Sequence, residues 1–264
     1  MEEVWNMRFG LCTSLDNIQK VENMGYDYIE PSVTGIVSMS EDEFHQVVQL
    51  VKKSRIKCES FNILFPSDIR LTGDQFNEEV FRTYLDHAMN RVTQLGGQTI
   101  VLGSGGSRRI PEGFDLQEGR AQLLRAVCIV GDIAASYKLT IAIEPLNTKE
   151  TNIITTVKEG IEFVSELNHP NVKLLADFYH MRMENEPMEI LERAGALLHH
   201  LHIANSNGRT YLLSPDEDIY VDFFNAIHNA GYNGRISVEG RALDLEKDGP
   251  ITLSVLKALQ ANYA

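Results

Sequence analysis

Short apolar runs alternate with amphipathic stretches from one end of the chain to the other. The runs lie at about 8–13, 28–31, 57–64, 99–102, 139–146, 172–178, 197–203 and 235–239. They are too short for buried helices and read as strands shielded on both faces. Between them, helical spacing recurs at about 15–24, 41–54, 78–95, 116–137, 156–167, 188–194, 219–230 and 251–261. Boundary signals agree with this spacing. Ser40-Glu41-Asp42-Glu43 carries a capping box and an acidic first turn, and Gly25, Gly96-Gly97 and Gly231 supply stops. Eight strand–helix units in unbroken alternation predict an α/β chain folded as a closed (β/α)8 TIM barrel. An open doubly wound sheet is the alternative.

The length of 264 residues matches the roughly 250 that one such barrel requires. No Pro/Gly/Ser-rich linker or charge block interrupts the chain, so residues 1–264 read as one domain. Asp plus Glu number 37 against 24 Lys plus Arg, a net charge of −13. That balance argues against a nucleic acid partner, because phosphate binding needs a cationic face. No apolar run approaches the ~20 residues of a membrane span, and the start Met1-Glu2-Glu3-Val4-Trp5 does not read as a secretory signal. A cytoplasmic protein is expected. Cys12, Cys58 and Cys128 fit neither a disulfide framework nor a zinc pattern. Cys128 is expected to be buried, and Cys12, closing the first strand, to be a candidate for a pocket wall.

Four of the later runs end in metal-ligand chemistry. Glu144 follows Ile141-Ala142-Ile143, Asp177 follows Leu174-Leu175-Ala176, His202 closes His200-Leu201-His202, and Glu239 follows Ile236-Ser237-Val238. Taken singly, each reads as a loop salt bridge or a core histidine. Taken together, they place three carboxylates and an imidazole at one end of four adjacent strands, where a barrel performs its chemistry. Such a group without a cation would suffer repulsion and desolvation. Three oxygens and one nitrogen suit one divalent ion, manganese before cobalt, magnesium or zinc. His200 points the same way as His202 at a different depth, and His199 is expected to face the helices. Glu30 closes the second strand and either faces the pocket, as a candidate substrate contact, or packs as an ordinary buried acid. Gly103-Ser104-Gly105-Gly106-Ser107-Arg108-Arg109 offers backbone amides and two arginines for an anion, or else a mobile lid, but lacks the Gly-Lys-Ser/Thr ending of a P-loop.

Glu144-Pro145-Leu146-Asn147 with Glu150, Asp177-Phe178-Tyr179-His180-Met181, His200-Leu201-His202-Ile203 and Val238-Glu239 resemble the motifs of the xylose-isomerase-like barrel superfamily. Within it, they are most similar to the ketose 3-epimerases. The specific likeness covers the C-terminal half; the N-terminal half matches as a barrel pattern. The resemblance implies that Glu144, Asp177, His202 and Glu239 hold one divalent metal, and that Glu144 and Glu239 are the acid/base pair. It also implies that Glu150 supports a catalytic carboxylate, that His180 touches the sugar, and that an arginine follows the histidine ligand. Arg209 is that arginine here, displaced by one position, and Gly240-Arg241 replaces a Pro-aromatic pair. The implied reaction is inversion at carbon 3 of a free ketose through a cis-enediolate, with one glutamate on each face. Related metal-dependent outcomes are isomerisation, and dehydration or lysis of inososes, 3-keto sugars or their glycosides. The other classes weighed are an abasic-site endonuclease, which needs more histidines, and a non-catalytic sugar binder. A homo-oligomer, dimer or tetramer, is expected from the resemblance.

Overall fold

A computed structural model describes residues 5–263; the reading of residues 1–4 lies outside the described residues. Eight parallel strands are present: β1 Arg8–Cys12, β2 Tyr28–Glu30, β3 Ser60–Phe61, β4 Thr99–Leu102, β5 Thr140–Ile143, β6 Val172–Asp177, β7 Leu198–Ile203 and β8 Arg235–Val238. Their hydrogen-bonded order is β2-β1-β8-β7-β6-β5-β4-β3. Pairing of the first strand with the last excludes the open doubly wound sheet. The remaining seam, between β2 and β3, is drawn together by Ile29 N–H on Lys57 O (3.1 Å), Asn62 N–H on Pro31 O (3.1 Å) and Val33 N–H on Asn62 O (2.8 Å). The chain is a single (β/α)8 barrel.

The physics of the pattern explains both agreement and departure. The Ser40 capping box forms on both sides and starts the helix Glu41–Lys53. Gly25 ends the helix Ile18–Met24 with φ +89°, which a side chain would resist. The third strand is much shorter than its apolar run, because the backbone turns at Ile63 with φ +49° and exposes that side chain. Pro145 stops the fifth strand short of residue 146, since proline has no N–H to continue the ladder. The helix Val33–Val37 escaped the sequence reading; at five residues it is too short to show a period. The last helix begins at Leu245, capped by Asp244, six residues ahead of its expected start.

Cys128 is exposed, correcting the buried reading. The core face of its helix carries Leu123, Ala126, Val127 and Val130, and residue 128 lies one step of about 100° beyond it. His199 is also corrected. The β6–β7 register slips by one residue, with Leu174 opposite Leu198 and Leu175 opposite His200. The extra residue turns inward, and His199 Nε2 lies 3.0 Å from Thr99 Oγ1 of β4.

Inside the barrel, Val101, Ala142 and Leu175 form a small apolar layer separate from the strand–helix core. Gly10 leaves room for the Tyr28 ring, whose hydroxyl meets Ser237 Oγ at 2.7 Å. A Cβ at Gly10 would lie 2.1 Å from that ring. Gly10→Ala is therefore expected to destabilise the fold by about 1–3 kcal/mol, seen as a lower urea midpoint with an unchanged slope.

Candidate metal centre

The C-terminal ends of β5 to β8 bring Glu144, Asp177, His202 and Glu239 together. One donor atom from each lies within 4.8 Å of the other three. His202 Nδ1 is 3.2 Å from Glu144 Oε1 and 3.3 Å from Glu239 Oε2. Asp177 fixes one oxygen by accepting from Tyr179 N–H (2.8 Å), and its other oxygen faces the group. Three carboxylate oxygens and an imidazole nitrogen, all reaching a common point, suit one divalent cation.

The surroundings orient each donor. Below the cluster, His202 Nε2 meets Glu30 Oε1 at 2.9 Å. That partner leaves Nδ1 as the nitrogen facing the carboxylates. Glu30 points into the barrel as its strand end requires, but both oxygens are engaged. Glu30 Oε2 is 2.8 Å from His200 Nε2 and accepts from Ser237 Oγ at 2.5 Å. A fully buried acid with that many partners supports His202, and it also lines the cavity on the β1–β2 side.

Glu144 is fixed from behind. Arg108 is fully buried, and its guanidinium donates to the carbonyls of Glu144 (2.6 Å), Leu102 (3.3 Å) and Ile154 (3.4 Å). The anion-cradle and lid readings of 103–109 are therefore corrected. Ser104 turns with φ +37°, one helical turn Gly105–Arg108 follows, and Arg108 swings inward to staple strand ends. Burial lowers its pKa to about 10, still fully protonated at neutral pH. Gly103 is an obligatory gap, since a Cβ there would lie 2.2 Å from Glu144 Oε2. Gly103→Ala should displace that carboxylate by a fraction of an ångström and reduce turnover by roughly 10–100-fold. Circular dichroism and thermal melting should stay close to the parent; a normal kcat would contradict this account.

On the opposite flank, Asn147 donates to His180 Nδ1 through its backbone N–H (3.1 Å) and its side-chain amide (2.8 Å). The ring proton therefore sits on Nε2, which faces the site 3.6 Å from Asp177 Oδ2. The Asn147 amide also reaches Glu150 Oε1 at 3.0 Å, leaving Glu150 half-exposed at the rim. Arg209 completes this flank, donating to Glu239 Oε2 at 2.5 Å and lying 3.4 Å from Asp177 and 3.6 Å from Glu150. The turn that brings it there has two consecutive left-handed residues, Gly208 (φ +84°) and Arg209 (φ +54°). Gly240-Arg241 packs against this turn. Arg241 N–H donates to Arg209 O at 2.8 Å, and a Cβ on Gly240 would lie 3.0 Å from that oxygen. The two segments thus form one local structure.

Sequence reasoning missed Asn62, which closes β3 and donates to Glu239 Oε1 at 3.1 Å. A polar residue closing an apolar run was its signal, the same one that marked Glu144. Asn147 as the orienter of His180, and Arg108 as a staple, were legible only in three dimensions.

Electrostatics separate the two glutamates. Burial, reinforced by the Glu239 charge, raises the Glu144 pKa above the ordinary carboxylate range. Burial acts on Glu239 too, but the charged His202 and Arg209 outweigh it and hold that carboxyl at about 2. Burial raises Asp177 to about 6 against the pull of Arg209. For His202, burial opposes the proton, yet Glu30 and Glu239 prevail and its pKa lies well above the usual value.

Beside Asn62 and Glu239 opens a cavity of 450 Å³ that extends toward β1 and β2 and includes Cys12 in its wall.

Residues 18–259 match the model of the xylose isomerase-like TIM barrel family. Among curated proteins, the L-ribulose 3-epimerase of Methylomonas sp. (strain DH-1) is 37% identical over 124 residues, 47% of this chain and 43% of that protein. The D-psicose 3-epimerase of Agrobacterium fabrum is 26% identical over 213 residues, 79% of this chain and 71% of that protein. The match thus spans less than half of the ribulose epimerase. Among solved structures, a D-psicose 3-epimerase in the presence of D-fructose superposes with TM-score 0.84 at 20% identity, covering 96% of this chain and 99% of that one. The E. coli 3-keto-D-glucoside 4-epimerase YcjR superposes with TM-score 0.80 at 20% identity, covering 96% and 100%. At these identities, the structural likeness speaks for the fold alone.

Proposed function

The chain belongs to the xylose isomerase-like TIM barrel family, and from that premise we propose that it is a divalent-metal-dependent sugar epimerase that inverts carbon 3 of a ketose. The observation that carries this reading is the grouping of Glu144, Asp177, His202 and Glu239, with His202 Nδ1 3.2 Å from Glu144 Oε1 and 3.3 Å from Glu239 Oε2. Epimerase relatives at modest identity support it.

Glu144, Asp177, His202 and Glu239 would hold the ion. When bound, it supplies Lewis acidity that makes the proton next to a ketone removable and stabilises the enediolate. The chain's own groups do the rest. One glutamate takes the proton from carbon 3 and the other returns a proton to the opposite face. Each carboxylate can give one oxygen to the ion and keep the other for proton transfer, and which glutamate begins depends on the configuration of the substrate. In the reverse direction the roles exchange. His180 Nε2–H and the Arg209 guanidinium offer donors to the hydroxyls and carbonyl at the reacting end, and Glu150 accepts from a terminal hydroxyl. Glu30 holds the His202 ring, and Arg108 fixes the strand end that carries Glu144. Manganese suits the donor set best, and a cytoplasmic dimer or tetramer accompanies the reading; sedimentation velocity measures the latter.

The deciding experiment incubates the manganese-loaded protein with a panel of ketoses in D2O. Deuterium at carbon 3 of both the recovered sugar and its 3-epimer is expected by NMR. An unsaturated product would instead select elimination from the same enediolate, and no exchange with any ketose would end the proposal.

A further inference from the structure

The site has two unlike halves. His180, Arg209, Glu150 and Asn147 make one flank entirely polar. The 450 Å³ cavity on the β1–β2 side is walled chiefly by Cys12, Leu15, Pro31, Ile36 and Met39. That volume lies in the range of pockets that enclose drug-sized ligands, larger than the tail of one monosaccharide needs. No lysine or arginine lines it among the described residues.

Its polar groups are already committed. Ser14 and Ser32 cap the short helical segments Leu15–Asn17 and Val33–Val37. Thr13 Oγ1 accepts from Asn17 at 2.9 Å, and both Glu30 oxygens are engaged below. The exception is Asn62. Its amide nitrogen is fixed by the Glu239 carboxylate, so its Oδ1 is identified as the acceptor, and that atom is buried without a partner. A buried unsatisfied carbonyl at the neck of a cavity calls for a donor from a ligand.

The apolar wall is held in place. Arg91 is 4% exposed, and it donates to the carbonyls of Ile36 (2.6 Å) and Met39 (2.7 Å) while pairing with Glu41. A guanidinium committed to the backbone under Ile36 and Met39 fixes the segment that shapes the wall.

Resting on the epimerase reading, the geometry points to a substrate that is a sugar bearing an uncharged, apolar substituent. The reacting carbons lie on the polar flank, a sugar hydroxyl donates to Asn62 Oδ1 at the neck, and the substituent fills the lobe between Leu15, Pro31, Ile36 and Met39. A phosphorylated sugar is disfavoured, because the lobe offers a dianion no countercharge.

Calorimetry on the manganese-loaded protein tests this with three unreactive polyols: a hexitol, its phenyl ether and its phosphate. The phenyl ether should bind at least about tenfold more tightly than either of the others, the scale of discrimination that apolar pockets provide. Met39→Trp fills the lobe and should erase the advantage. Met39→Lys, at a half-exposed position that tolerates charge, should turn the preference toward the phosphate. Equal binding of all three polyols, tightest binding of the phosphate by the parent protein, or ratios unmoved by both variants would overturn the inference. Deuterium exchange on plain ketoses separates the two levels. Exchange without a phenyl preference removes only the substituent, whereas absence of exchange with plain and phenyl-substituted ketoses alike removes the epimerase reading beneath it.

Discussion

Glu239→Gln is expected to lower kcat for epimerisation by roughly 10²–10⁴, the span attributed to a positioned acid/base group. The amide keeps an oxygen for a metal ion and keeps the shape of the side chain, so affinity for the ion should fall less than turnover. The sharper signature lies in isotope exchange. With one base on each face, the variant retains Glu144 and should still exchange the proton of whichever epimer presents it to that side. It should not carry the proton across. Glu144→Gln should show the complementary behaviour with the other epimer. If both variants exchange both epimers at parental rates, neither glutamate is the base, and the two-face account fails. Asn62 and Arg209, which hold the Glu239 oxygens, would then have no catalytic carboxylate to position.

Stripping metal with a chelator is expected to abolish activity, and restoring manganese to return it. The same titration should raise the melting temperature. An ion at a thousand times its dissociation constant stabilises the folded state by about 4 kcal/mol, which for a chain of this size corresponds to a rise of roughly 8–16 °C. The dependence on pH follows from the competition between protons and metal. Asp177 titrates at about 6, Glu144 is raised by burial, and His202 holds its proton well above the ordinary range. Each must be deprotonated to act as a ligand, so all three shifts have the same sign. Affinity should strengthen as pH rises and weaken steeply as pH falls through about 6. A melting temperature indifferent to manganese at pH 8, or tighter binding at pH 5 than at pH 8, would contradict the assigned ligand set.

The barrel was legible because its strands are buried on both faces and its helices carry ordinary stops. Periodicity therefore switched at each boundary, as at Gly25 and Ser40. Glu144, Asp177, His202 and Glu239 were legible for a related reason: a charged residue ending an apolar run stands out against its neighbours. What stayed hidden depended on chain geometry that no local pattern records. The inward turn of His199 results from a one-residue slip between β6 and β7. Arg108 looked like a ligand-binding arginine, and only the left-handed turn at Ser104 directs it to the strand ends behind Glu144. Glu30 read equally well as a pocket wall or a buried acid until two histidines were found sharing it.

The four donor residues lie at the ends of β5 to β8, whereas the apolar lobe is shaped by the segments following β1 and β2, with Asn62, just after β3, at the boundary. On the proposed reading, reactivity and selectivity are therefore written on separate stretches of the gene. Replacement of residues 13–16 and 32–39 can reshape what the enzyme accepts while the reacting apparatus is inherited intact. A lineage, or an engineer, can explore new sugars in such a scaffold by shuffling its front end.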